Sequence, residues 1–324
     1  MLYILNTSTD PYFNLAAEEY LLTKKQDNIF MLWVNNDVIV VGKNQNTMAE
    51  INYDYVTKHN IAVVRRLTGG GAVFHDKGNL NFTFIEHEQS SLDFAYFGSI
   101  IIGALSSLGI NAELSGRNDL TIDGKKFSGN AAAVHQNRRL HHGTIMLNIL
   151  VDKLTKALNV DPSKIEGKGI KSVKSRVTNI NEHLENPIDI GTLISVISEY
   201  IKEKYPNIEV YEFTKQDIDA ITELQNEKYN TWQWNFGDSP KYNFTKKQKY
   251  SGGTIEVKLS VKNGVIEKAN IYGDFFGVKD SCEFSKILVG AKHEKDALLN
   301  ILSKINTAEY FYNITPSEIF NVLI

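Results

Sequence analysis

Hydrophobic residues recur along this chain in short alternating or continuous runs broken by turn residues, with a few longer stretches at helical spacing between them. Leu2 to Leu5 predicts a first strand, and Pro11 to Lys25 sets Leu15, Ala16, Tyr20 and Leu22 at helical spacing. Ile29 to Val34 and Val38 to Val41 predict two strands joined by Asn35-Asn36-Asp37, a turn-rich triplet that favours an antiparallel hairpin. After a short helix over Ile51 to His59, the strand Ile61 to Leu67 runs straight into Thr68-Gly69-Gly70-Gly71. It therefore delivers Arg65 and Arg66 to a glycine loop.

Phe82 to Ile85 predicts another strand, and Leu92 to Leu108 is apolar enough for a largely buried helix that ends before Gly109. Asp119 to Ile122 and Lys125 to Val134 flank Asp123-Gly124, a strong two-residue turn signal. Gly143 to Ile149 adds a strand after the polar stretch Gln136 to Arg139. Asp161 to Arg176 has little periodicity, whereas Ile190 to Lys204 predicts a helix. Between Trp232 and Tyr250 the pattern breaks into Trp, Asn, Gly, Pro and the run Lys246-Lys247-Gln248-Lys249, which suggests a linker. Beyond it, Thr254 to Val261 and Ile266 to Tyr272 flank Asn263-Gly264 as a hairpin, with helices over Lys295 to Ile305 and Ser317 to Leu323. The pattern predicts an α+β chain: a large domain, 1–240, of mostly antiparallel sheets flanked by helices, and a small α+β C-terminal domain, 247–324.

Composition narrows the chemistry. With 324 residues and 42% hydrophobic content, the chain can bury a sizeable core. A net charge of -3 lacks the basic excess of most duplex-binding proteins, so no nucleic-acid partner is expected. Cys282 is the only cysteine, which excludes an internal disulfide, a CxxC pair and a multi-cysteine zinc site. The N-terminal MLYILNTSTDPYF has no basic region before an apolar core, and no run approaches the roughly 18 apolar residues of a spanning helix. A soluble, cytoplasmic chain without a membrane partner is expected.

The densest feature is Arg65-Arg66-Leu67-Thr68-Gly69-Gly70-Gly71-Ala72-Val73-Phe74-His75-Asp76. Three glycines without Cβ atoms let a ligand approach the backbone amides, and Arg66 adds a cation able to grip a phosphate. It is neither a Walker A loop nor G-x-G-x-x-G. Taken alone, such a loop is more often a flexible surface turn with solvated arginines. The turn at Asp123-Gly124 should bring the strands of Asp119 and Lys126 side by side, so a carboxylate and an amine could converge, although lysines in hairpins are usually just solvated. His141 and His142 are adjacent on a strand and must face opposite ways, which argues against a shared metal. Lys168 to Arg176 is basic and could form a lid over phosphates, or an RNA-contacting or merely solvated loop. Trp232 and Trp234 suit a domain junction. Residue by residue, this supports an anion pocket and no particular reaction.

The same residues, in order, resemble a known family. Arg65 to Asp76, Gly78-Asn79-Leu80-Asn81-Phe82-Thr83-Phe84, Gly116-Arg117-Asn118-Asp119, Lys126-Phe127-Ser128-Gly129, His141-His142-Gly143-Thr144 and Lys174-Ser175-Arg176-Val177-Thr178-Asn179 closely resemble the lipoate-protein ligase A family over nearly the whole chain. The resemblance implies a catalytic fold like that of biotin ligases and class II aminoacyl-tRNA synthetases. It implies two steps: lipoate attacks the α-phosphate of ATP to give lipoyl-AMP and pyrophosphate, and an acceptor lysine then displaces AMP. On this resemblance Lys126 is the catalytic residue and touches both nucleotide and lipoate. Arg66 and Gly71, Ala72, Val73 and Phe74 would bind ATP, Gly70, Gly71, Val73 and His75 would bind lipoate, and Asp119 would help place Mg²⁺. Val64, Val73 and Phe74 are candidate walls for the apolar tail. Leu158 to Arg176 resembles the loop that closes on the adenylate. Implied acceptors are glycine cleavage H protein and E2 subunits of 2-oxoacid dehydrogenases. Thr68 stands where the family often has Ser, which keeps the hydroxyl.

An ATP-independent octanoyl or lipoyl transferase would need a thioester-forming cysteine, and Cys282 lies outside the motifs. A biotin ligase should carry a Gly-Arg-Gly-Arg type loop, which is missing, and a noncatalytic adaptor should have lost Lys126 or the glycines.

Overall fold

A computed structural model describes residues 1–45, 47–87, 93–116, 118–158, 176–236, 244–262, 265–293 and 295–324. The fold is set by which strands can bear burial on both faces. β2 (Ile29–Val34) is apolar at every position, as a strand covered on both sides must be. Its Phe30 and Leu32 join one core with Phe82, Phe97, Ile100 and Ile197, while Ile29, Met31 and Trp33 join another with Leu15, Leu21, Val40 and Val64. The first core is roofed by helices Phe94–Ser106 and Ile190–Lys204. The second is roofed by helix α1 (Pro11–Lys24), whose entry is fixed by Asp10 accepting from the Tyr12 N–H and by Pro11 in the first turn.

Around β2 lie β1 (Leu2–Asn6), β6 (Asn79–His87), β7 (Ala112–Ser115), β8 (Asp119–Ile122), β9 (Lys125–His135), β10 (Arg138–Met146) and β11 (Glu209–Val210), in the order β11-β1-β2-β6-β10-β9-β8-β7. Pairing is antiparallel from β2 through β7 and parallel across β2-β1-β11, so the sheet is mixed. A second, smaller sheet has the order β4-β3-β5, formed by β3 (Val38–Val41), β4 (Ala62–Arg65) and β5 (Val73–His75). The third is β12-β13-β14, from β12 (Phe244–Tyr250), β13 (Gly253–Lys262) and β14 (Val265–Gly273), packed on C-terminal helices around Val257, Leu259, Phe284, Phe311 and Val322.

Three expectations change. β2 and β3 do not form a hairpin: β3 pairs with β4 in parallel and with β5 antiparallel. Asn35 is fully buried, and its side chain is spent across layers, accepting from Asn14 and donating toward His75, so the triplet carries the chain from one sheet to the other. The polar stretch Gln136 to Arg139 is half strand, since Arg138 and Arg139 open β10. Only Gln136 and Asn137 turn, Gln136 with a φ of 54°, while buried Arg138 donates to the Leu21 and Leu22 carbonyls at the end of α1. Lys246 to Lys249 belong to β12, not to a linker. The turn Asn263-Gly264, Lys168 to Ser175 and all but the ends of Leu158 to Arg176 lie outside the described residues. Among the described residues no helix is long and apolar enough to cross a membrane.

Candidate active site at the seam of two sheets

Alternation along four strands builds one cavity. On β3, Val38 and Val40 face the large sheet while Ile39 and Val41 face away; on β5, Val73 and His75 face the cavity while Phe74 turns into the outer cluster with Ile39, Val41 and Val63. On the large sheet, β10 sets His142 opposite Thr83 and Thr144 opposite Asn81, and all but Thr83 line the same space. His141 points the other way, its ring 4.4 Å from that of Phe97. The cavity holds about 280 Å³, with Leu15, Trp33, Val40 and Val73 as its apolar wall.

Arg66, Gly70, Gly71, Ala72, Val73, His75, Asp119 and Lys126 all line it. Phe74 and Val64 do not: both side chains face buried clusters, so neither walls an apolar tail. Arg66 is buried, and its guanidinium donates to the carbonyls of Val40, Gly69 and Gly71 and to the Thr68 hydroxyl. It folds the loop by drawing those carbonyls inward. Burial pushes its guanidinium down to about 10. Gly70 takes a φ of 93°, which favours glycine. Arg65 is structural, tying Gly42, Gln45 and Thr47 to Asn235.

Lys126 reaches Asp119 at 2.8 Å across the hairpin, both side chains part-exposed. A register shift between Leu120 and Thr121 sets Thr121 opposite Lys126 and Leu120 opposite Ser128, so Phe127 drops into the core while Lys126 turns to Asp119. The Lys126 backbone is clamped as well, its N–H donating to Arg176 O at 2.8 Å and its carbonyl accepting from Thr178 at 2.9 Å. Arg176-Val177-Thr178 thus acts as a brace for the lysine. Arg117 lies outside the described residues.

His75 has a defined tautomer. Asn35 Oδ1 accepts from Asn14, which turns the Asn35 amide nitrogen toward His75 Nδ1 at 3.1 Å and leaves the ring proton on Nε2. Nε2 is buried without a partner among the described residues, so the cavity wall presents a donor. Burial, then the nearby Arg66 and His142, pushes His75 down to about 3, so it is neutral when folded. The unfolded chain binds a proton there below pH about 6.5 and the folded chain does not, so stability falls as pH falls through that window. Between about pH 7.5 and pH 5, His75→Gln should lose about 2 kcal/mol less stability than the wild type, measured by urea unfolding at each pH.

The sequence reading missed the contribution of the C-terminal part. Asp274, just beyond β14, lines the cavity, and Phe276 packs at 5.2 Å on Phe94 in a cluster with Ala131 and Ala132. Gly273 N–H donates to Asn44 O, Ser281 to Asn44 Oδ1, and Lys43 pairs with Asp280 at 2.8 Å, fastening the C-terminal part to the segment beside the glycine loop. The only signal was Gly273-Asp274-Phe275-Phe276-Gly277, an aromatic pair between glycines directly after a strand. Cys282 is exposed and does not line the cavity.

Residues 10–202 match the lipoyl protein ligase A/B catalytic domain, and residues 239–323 match the bacterial lipoate protein ligase C-terminus. Lipoate–protein ligase 1 of Staphylococcus aureus is 44% identical over 322 residues, 98% of this chain and 98% of that protein. A crystal structure of LipL1 of P. falciparum in complex with lipoate superposes with a TM-score of 0.79 at 28% identity, covering 94% of both chains. A crystal structure of lipoate-protein ligase A bound with ATP gives 0.63 at 25% identity, covering 73% of this chain and 98% of that one. From the glycine loop to the last helix, the chain belongs to the lipoate-protein ligase family.

Proposed function

We propose that this chain joins lipoate to ATP as lipoyl-AMP, releasing pyrophosphate, and then passes the lipoyl group to a lysine of an acceptor protein. The observation that carries the reading is the placing of one braced cation, Lys126, on a cavity that combines an apolar wall with a glycine loop. Lipoate carboxylate and α-phosphate are both anionic and must meet in line, so a cation shared between them lowers their repulsion as the new P–O bond forms and pyrophosphate leaves. The acceptor amine then attacks the acyl carbon, forming the amide and releasing AMP.

In this reading Lys126 is the catalytic residue. Arg66, through the loop it folds, and the backbone of Gly71, Ala72, Val73 and Phe74 hold the nucleotide. Gly70, Gly71, Val73 and the His75 Nε2 donor hold lipoate. Among the described residues no three His, Cys, Asp or Glu side chains converge as a metal cage. Asp119 offers a single carboxylate, which suits Mg²⁺ carried chiefly by the phosphates and neutralising their charge. The catalytic part would span 1–240 and the accessory part 247–324. The acceptors would be glycine cleavage H protein or E2 subunits.

Lipoate-dependent exchange of labelled pyrophosphate into ATP tests the first step, and mass addition to a purified acceptor domain tests the second. Both are expected. Acyl transfer without ATP, with no lipoate-dependent exchange, would replace this reading with the transferase alternative.

A further inference from the structure

A buried polar chain runs behind the glycine loop, and Trp33, His142 and Arg66 bring it to the cavity wall while Thr83, Glu18 and Thr68 stay behind it. Trp33 Nε1–H donates to Thr83 at 2.9 Å, and the Thr83 hydroxyl donates to Glu18 Oε1 at 2.6 Å. Glu18 accepts from His142 Nδ1 at 2.9 Å and 3.0 Å; His142 Nε2 lies 2.8 Å from the Thr68 hydroxyl; and Thr68 accepts from Arg66 Nε at 2.9 Å. Every member is buried. The directions close in one sense only. The Glu18 carboxylate can only accept, so His142 holds its proton on Nδ1, and the neutral ring then takes the Thr68 proton at Nε2 while Thr68 accepts from Arg66 Nε. The order Thr-His-Glu has the outline of a nucleophile, base and orienting acid, yet Thr68 is fully buried and its oxygen is already held by a guanidinium.

We infer that Glu18, His142 and Thr68 form a positioning relay for Arg66, and through it for the nucleotide-facing amides of the glycine loop. This inference rests on the nucleotide reading of that loop. Arg66 is buried with its direct partners all neutral: three carbonyls and one hydroxyl. Its orientation depends on Thr68, whose rotor is fixed by His142, which is in turn fixed by Glu18. Glu18 is also the negative charge whose field acts most on Arg66. A buried guanidinium balanced through two intermediaries keeps Nη2 for the Gly69 and Gly71 carbonyls of the loop, which a direct Arg–Glu pair would divert. The three residues are therefore positioning rather than catalytic.

The test uses the full chain with ATP as the probe. Thr68→Val keeps the shape and removes the hydroxyl; Thr68→Ser keeps the hydroxyl; Glu18→Gln keeps the shape and removes the charge. Calorimetry should show ATP bound about tenfold or more weaker by Thr68→Val and several-fold weaker by Glu18→Gln, with Thr68→Ser within about twofold of wild type. In pyrophosphate exchange the loss should fall on KM for ATP while kcat at saturating ATP stays within a few-fold. A general packing defect would do the reverse, lowering the folded, active fraction and leaving KM in place. If Thr68→Val does not fold, Glu18→Gln alone carries the comparison. Undiminished ATP binding in the folded variants, or Thr68→Ser as weak as Thr68→Val, overturns the relay. Wild type that binds ATP but shows no lipoate-dependent exchange overturns the functional reading and leaves the relay to the calorimetry.

Discussion

Lys126→Ala should keep its fold and lose about 10²–10³-fold in lipoate-dependent pyrophosphate exchange, the loss seen when one oriented charge donor is removed from a reacting centre. The lysine side chain is part-exposed, and its nearest partner, Asp119, is part-exposed too, so the deletion strands no buried charge. The backbone brace from Arg176 to Thr178 does not need the side chain. Thermal unfolding should therefore match the wild type within about 1 °C to 3 °C, consistent with a surface substitution. Undiminished exchange by a folded Lys126→Ala protein would remove the lysine from the mechanism. Because the ammonium is proposed to act on both anions, kcat should fall as well as affinity for either substrate.

The second large effect belongs to a residue that carries no chemistry. At Gly42, the residue directly after β3, an added Cβ would come within 2.0 Å of the Gly70 carbonyl oxygen and 3.2 Å of the Arg66 guanidinium. Neither neighbour yields readily, since Arg66 N–H is bonded to Val41 O and Thr68 O accepts from Lys43 N–H, pinning the entry to the loop. Gly42→Ala should push the loop out of its curve, weaken ATP by about tenfold or more, and cost roughly 1–3 kcal/mol of stability as an overpacked contact. Calorimetry with ATP alongside urea unfolding separates the two effects. Unchanged ATP affinity would mean that the loop's curvature is not what the nucleotide reads.

What the sequence disclosed was local. The glycine loop, its two arginines and the Asp119–Lys126 hairpin were legible because each is encoded within about a dozen residues, by turn chemistry and strand period. Phe74 and Val64 were misassigned by hydrophobicity alone. Strand alternation from Val73 already places Phe74 on the far face. What failed was long-range. Asn35 looked like a hairpin turn because its partners, Asn14 and His75, cannot be seen from its neighbours. Glu18 on α1 gives no hint that it ends a chain leading to Arg66, and Asp274 joins the cavity only because a separate sheet docks there. Arg176 was read as the last residue of a lid, yet with Val177 and Thr178 it forms a brace, a role set by pairing with a strand some fifty positions earlier.

Among the described residues β12 is an outer strand of the C-terminal sheet, the kind of edge on which a second copy of a chain can lay a strand. Thr245 to Lys249 are exposed there, and three of those five positions are lysines, with Lys246 also reaching the Ile324 carbonyl at 2.6 Å. The run that looked like a linker thus works as a gatekeeper: stacking two such edges would bring like charges together, which disfavours fibril-like assembly of a sheet whose other strands, β13 and β14, are rich in β-branched residues.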